Sequence, residues 1–120
     1  MRKIIVLPIV LIFALLYHLF PRILVCGYSM YPTYEDNEII WGTRLFKRKN
    51  LKVGDVVVAK FVSEENEGHT TIIKRISRLK EDKVYLLGDN PKESYDSRYY
   101  GYIPLKCVKV RLLEQRSKVK

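Results

Sequence analysis

The sequence predicts a mainly β protein, a small coiled antiparallel β-sheet or barrel-like domain preceded by one N-terminal transmembrane helix. Three observations predict it. One unbroken apolar block opens the chain; the helical period is absent after it; and short stretches rich in branched and aromatic residues then recur between turn residues.

Ile4 to Phe20 is apolar apart from His18 and holds only Pro8 as a breaker, at the short end of the roughly 17–25 residues that span a bilayer. Arg2 and Lys3 precede it. The positive-inside rule then keeps the N-terminus cytoplasmic, and the long remainder crosses as a domain to the outer face of the plasma membrane, a single-pass arrangement. A cleaved signal peptide fits less well, because no small-x-small site follows the apolar run. A lipoprotein signal ending at Cys26 would need a small residue where Val25 stands. Residues 1–22 are therefore expected to form the anchor, with the helix over about 4–20, and residues 23–120 a single β-rich domain.

Expected strands are Ile23–Val25, Glu38–Thr43, Asp55–Phe61, Thr70–Arg78, Lys83–Leu87 and Val108–Leu113. Turn material separates them at Pro32-Thr33, at Lys52 to Asp55, at residues 63–68, at Glu81-Asp82 and at Gly88 to Pro91. Strands this short and evenly spaced favour a coiled sheet or small barrel.

The chain has 120 residues, which leaves room for one small core and no second. Its net charge of +9 implies attraction to anionic surfaces, either nucleic acid or acidic lipid. No nucleic-acid-binding motif is present, and an anchored outward-facing domain would not meet nucleic acid, so phospholipid is the expected anionic partner. The basic runs Lys47–Lys49 and 116–120 read as solvated surface first and as lipid contacts second. Cys26 and Cys107 match no metal-ligand spacing and read as two free thiols.

Ser29 lies in Gly27-Tyr28-Ser29-Met30-Tyr31-Pro32-Thr33, between an apolar strand and a proline turn. The glycine lets a substrate backbone come close, and the turn can aim both the hydroxyl and its own N–H at one carbonyl. Alone this is a weak signal, since serine beside a turn is usually structural. Lys74 strengthens it: strand alternation puts Lys74 on the apolar face with Ile72 and Ile76, and burial favours the neutral amine that a general base needs. The third cluster runs from Gly88-Asp89-Asn90 to Ser94, Asp96 and Arg98. It is at least a polar loop with a local ion pair, and it could orient a neighbouring amine.

These segments together resemble the type I signal peptidase family, which cleaves targeting peptides from exported proteins with a Ser/Lys dyad. The matching stretches are Ser29-Met30-Tyr31-Pro32-Thr33, Gly54-Asp55-Val56-Val57-Val58, Lys74-Arg75, and Gly88-Asp89-Asn90 with Ser94, Asp96, Ser97 and Arg98, in the family's order and spacing. The resemblance implies that Ser29 is the nucleophile and Lys74 the base, with Ser94 hydrogen-bonding the lysine amine. It further implies that Asp96 and Arg98 form a structural pair and that Asp89 organises its loop. One oxyanion donor is expected from the Ser29 N–H; at Gly27, where some members carry a serine hydroxyl, the second donor is a backbone N–H, a water, or missing. Val25, Met30, Ile72 and Ile73 become candidates for a pocket that takes small side chains of a preprotein signal peptide. The resemblance implies no metal and no cofactor.

A Ser/His/Asp arrangement would need a histidine, and the chain has only His18, inside the anchor, and His69, in a polar turn. Two further readings are a specialised maturation peptidase with a narrow substrate, such as a conjugation pilin, and a non-catalytic adaptor binding peptides at a sheet edge. Ser29, Lys74 and Ser94 together argue against the adaptor.

Overall fold

The computed structural model describes residues 2–62 and 68–119. Helix α1 (Arg2–Leu19) leads into strands β1 (Arg22–Leu24), β2 (Ile39–Thr43), β3 (Val56–Val62), β4 (His69–Lys80), β5 (Lys83–Leu87), β6 (Ile103–Pro104) and β7 (Val108–Leu112), with a one-turn helix α2 (Ser97–Tyr100) before β6. All seven strands lie in one sheet, in the order β1-β2-β7-β3-β4-β5-β6, and every neighbouring pair is antiparallel. Among the described strands β1 and β6 have one neighbour each, so the sheet is open rather than a closed barrel. The turn expected at residues 63–68 lies, apart from Gly68, outside the described residues.

Helix α1 is 18 residues long, about 27 Å at 1.5 Å per residue. It stops before Pro21, whose ring disfavours helical backbone at the residue in front of it. The apolar side chains of Ile4 to Tyr17 stand exposed along it. No helix among the described residues is long and apolar enough to cross a membrane; α1 covers most of the expected stretch and ends at Leu19, one residue before Phe20.

Strand β3 sits at the middle of the sheet, which explains why Val56-Val57-Val58-Ala59 is a continuous buried run instead of an alternating one. Val56 and Val58 face one apolar cluster with Val25, Met30, Tyr34, Ile40, Val110 and Leu112. Val57 and Ala59 face a second, with Leu51, Ile76, Val84, Leu86, Ile103 and Val108. Strand β7 contributes Val108 to one cluster and Val110 to the other, although residues two apart normally share a face. A bulge resolves this: Val58 pairs with Val110 but Ala59 pairs with Val108, leaving Lys109 as the extra residue that reverses the alternation.

The chain after β7 closes the first cluster. The Gln115 amide accepts from the Val56 N–H at 2.7 Å and donates to the carbonyls of Val56 and Leu112, standing in for a missing strand. Arg116 donates to the Thr33 carbonyl, pairs with Glu38 and Glu114, and lies over the ring of the fully buried Tyr34. The expectation that residues 116–120 are simply solvated surface fails for Arg116, because three acceptors and an aromatic face hold it against the domain.

Gly42, in β2, marks the tightest approach in this part of the sheet. A Cβ there would lie 2.8 Å from Ile23 Cδ1 and 3.3 Å from the Arg111 carbonyl, and closer still to Val110 Cγ1. Gly42→Ala is expected to lower stability by about 1–3 kcal/mol through overpacking, read as a drop in the thermal midpoint. An unchanged midpoint would mean that β1 and β7 can part at no cost.

Candidate active site

The nucleophile candidate is held by loops rather than by a ladder. Gly27 has φ +89°, the left-handed region open to glycine, and this turn carries the chain from β1 into the Ser29 segment. Its N–H donates to Asp36 Oδ1 at 2.7 Å. Three residues on, Met30 is buried in the first apolar cluster and anchors the segment from below. From the other side Asn90 clamps it: the Asn90 N–H donates to the Ser29 carbonyl at 2.8 Å, and the Asn90 side-chain amide donates to the Tyr28 carbonyl at 2.9 Å.

Lys74 arrives from β4. It pairs with Val57 across the ladder, shares the face of the second cluster, and is only 5% exposed. Its Nζ donates to Ser29 Oγ at 2.9 Å and to the Ile73 carbonyl at 3.2 Å. Burial lowers the Lys74 pKa from its ordinary value of 10.5, and the negative charge of Asp96 pulls the other way. Burial outweighs the charge, so the amine beside the serine hydroxyl gives up its proton more readily than a free lysine.

The next residue does the opposite work. Arg75 points to the other face and grips Asp89 through two parallel bonds, Nε to Oδ1 at 2.9 Å and Nη2 to Oδ2 at 2.8 Å. It also donates to the carbonyls of Gly54 and Arg116. Asp89 thereby fixes the Gly88-Asp89-Asn90 turn, which in turn holds Ser29. Gly88 is glycine because nothing larger fits: a Cβ would lie 2.7 Å from the Ser29 carbonyl and 2.6 Å from Ser94 Cβ.

Asp96 is wholly buried and accepts from every side: Gly88 N–H at 2.9 Å, Ser94 Oγ at 2.6 Å, and the Arg98 backbone and guanidinium. Burial alone would raise its pKa; the bonds from Arg98, Ser94 and Gly88 outweigh that and hold it well below the usual carboxylate range.

Three separate segments are thus linked: Ser29 touches Lys74 directly, Asp96 gathers Ser94 and Arg98, and the Gly88-Asp89-Asn90 turn joins them through the Gly88 and Asn90 N–H groups. Two expectations need correcting. Ser94 donates its hydroxyl to Asp96 rather than bonding the lysine amine: the Lys74 bonds among the described residues run to Ser29 and Ile73. A carboxylate within reach is the stronger acceptor. Gly27 cannot offer its own N–H as an oxyanion donor, because Asp36 has taken it. The Ser29 N–H has no partner among the described residues.

Val25, Met30, Ile72 and Ile73 all line a groove of about 530 Å³ that runs past Ser29 and Lys74, with Tyr28 and Tyr95 at its margin. Its wall includes a stretch of open sheet edge. Residues 69–74 of β4 pair with β3 on one side, whereas β5 pairs only with residues 75–80 on the other. The roles of Asn90, Gly88 and Asp36 were not read from the sequence. An Asn before a proline signals a turn and does not say which carbonyls its amide will reach.

A hydroxyl bonded to a buried amine, beside an open strand edge, is chemically able to act as a nucleophile with an adjacent base. The chain belongs to the signal peptidase family, peptidase S26, whose model matches residues 1–79 and 77–112. It is similar to the mitochondrial inner membrane protease subunit 1 of Mus musculus, 32% identical over 107 aligned positions that cover 72% of this chain and 63% of that protein. The Homo sapiens protein of the same name is 31% identical over the same extent. The chain therefore spans just under two thirds of the length of these relatives.

Asp96→Asn removes the charge that Arg98, Ser94 and Gly88 hold in place. A carboxylate with a depressed pKa stabilises the fold above its unfolded value of about 4, and that contribution is lost as the pH falls toward the folded pKa. The variant is expected to melt below wild type at pH 7, with the gap narrowing under acid conditions below about pH 4. A gap that stays constant with pH would show that the charge of Asp96 carries no stability.

Proposed function

We propose that the protein is a membrane-bound serine endopeptidase that removes signal peptides from exported preproteins, with Ser29 as nucleophile and Lys74 as general base. The observation that carries this reading is the 2.9 Å contact between the Ser29 hydroxyl and a buried lysine amine whose pKa is lowered by burial. Family membership supports it.

The neutral Lys74 amine takes the Ser29 proton as Oγ attacks the scissile carbonyl. The negative charge that develops on the carbonyl oxygen is met by the Ser29 N–H. As the C–N bond breaks, the Lys74 ammonium returns its proton to the leaving amine, and the acyl group stays on Ser29. Water, deprotonated by the same amine, then releases the acid and restores the hydroxyl. An extended substrate adds alongside residues 69–74 of β4, whose backbone groups are open on the groove side. Val25, Met30, Ile72 and Ile73 form apolar walls suited to small uncharged side chains before the cut. Helix α1, with apolar side chains exposed along its length, lies in the bilayer, helped by the flanking aromatic and basic residues that follow it.

Asp96 and Arg98 tune the base. The Asp96 charge raises the Lys74 pKa, and Arg98, bonded to both carboxylate oxygens, screens that charge.

Ser29→Ala and Lys74→Met are each expected to slow cleavage of a small-x-small preprotein by at least about a thousandfold, measured with purified full-length chain in detergent. Near-native turnover in either would end the dyad assignment. Lys74→Met should remain folded and melt higher than wild type at neutral pH. The folded wild type binds fewer protons than the unfolded chain between the lowered pKa and 10.5, so its stability rises with pH there, and the Met variant lacks that slope. Wild-type activity should rise with pH as Lys74 deprotonates, and Arg98→Met should move that rise to higher pH by unmasking Asp96. An identical profile in the two proteins would remove Arg98 from the tuning of the base.

A further inference from the structure

We propose that the basic loop following β2 binds the phosphate of an anionic lipid headgroup, an inference that rests on α1 lying in a bilayer. The segment from Arg44 to Lys52 carries five cations and no acid. Two of them are used to build the loop. Arg44 is fastened to the last turn of α1: its N–H donates to the Leu19 carbonyl at 2.8 Å and its guanidinium to the His18 carbonyl. Arg48 donates to the carbonyls of Lys106 and Val108, at 3.2 and 3.0 Å. The loop is thus pinned at its start to the helix terminus and at its middle to the entry of β7.

The other three, Lys47, Lys49 and Lys52, are exposed, and no ion pair holds their ammonium groups among the described residues. With Arg111 they line a groove of about 600 Å³ over Leu51. The one acid there, Asp55, is already balanced by Arg111 at 3.4 Å and accepts the Lys52 N–H at 3.0 Å. Net positive charge therefore remains for a ligand. Leu45, 60% exposed beside these cations, gives the loop an apolar tip. Since Arg44 touches the helix terminus, the groove stands where an inserted α1 meets the headgroup layer, and basic residues at that level attract anionic lipid. A concave, multiply cationic site with an adjoining apolar tip matches a phosphate attached to acyl chains better than a flat solvated surface.

The test compares spin-labelled phosphatidylglycerol with spin-labelled phosphatidylcholine around the full-length chain reconstituted in phosphatidylcholine bilayers, reading the fraction of each label immobilised by the protein. Wild type should prefer phosphatidylglycerol severalfold. The triple variant Lys47→Gln, Lys49→Gln, Lys52→Gln should lose at least about threefold of that preference, as should wild type in high salt. Any preference due to Arg2 and Lys3 is common to both proteins and cancels. Unchanged preference in the triple variant overturns the proposal. So does inorganic phosphate that displaces phosphatidylglycerol beyond the effect of chloride at equal ionic strength, since the site would then hold a soluble oxyanion. Immobilisation of neither label would instead refute insertion of α1, and with it the membrane-bound reading, whereas equal immobilisation of both refutes the headgroup site alone.

Discussion

The site rests on one contact: an amine on a β-strand is buried, with its pKa lowered by that burial, and still touches a hydroxyl. Dryness comes from the second apolar cluster, whose face Lys74 shares with Ile76 and with Val57 opposite. The opposing influence is close by, since Asp96 favours the charged amine. Asp96 is itself almost fully occupied, by Arg98, Ser94 and a backbone N–H, and a carboxylate engaged in this way projects less field onto its neighbour. The balance therefore depends on a second layer of bonds that never touches the serine.

Alternation along β4 lets two neighbouring residues perform opposite tasks. Lys74 is buried on one face with its pKa lowered, while Arg75 lies on the other and is satisfied by Asp89 and two carbonyls. Through Asp89 and Asn90 that ion pair reaches the carbonyls of Tyr28 and Ser29. The amine that touches Ser29 and the clamp on the Ser29 segment are thus set by consecutive positions of one strand, so a register slip of a single residue would put the arginine in place of the lysine and lose both.

Most of the architecture was legible in the residues. Six of the seven strands follow from branched and aromatic runs between turn signals, whereas the central place of β3 was seen only in the structure. β6, two residues long, is too short to show any period. The bulge at Lys109 is hidden because a strand's side-chain period carries no mark of where the partner skips a residue. In the site, Ser29, Lys74 and the Gly88 loop could be picked out by residue type and order, but the partner of each polar group could not. Ser94 turns to Asp96 because two residues of spacing bring its hydroxyl to a carboxylate, and the Gly27 N–H is claimed by Asp36, nine residues away. Arg116 looked like tail and is packed on Tyr34, a contact across 82 positions that no local pattern announces.

Titration of the Lys74 side chain by NMR, in the full-length chain in micelles and with its resonance assigned by its absence from Lys74→Met, bears most directly on the account. A midpoint clearly below 10.5 is predicted, because burial outweighs the field of Asp96. A midpoint at or above that ordinary value would mean the amine is charged at working pH, and no base would then stand beside Ser29.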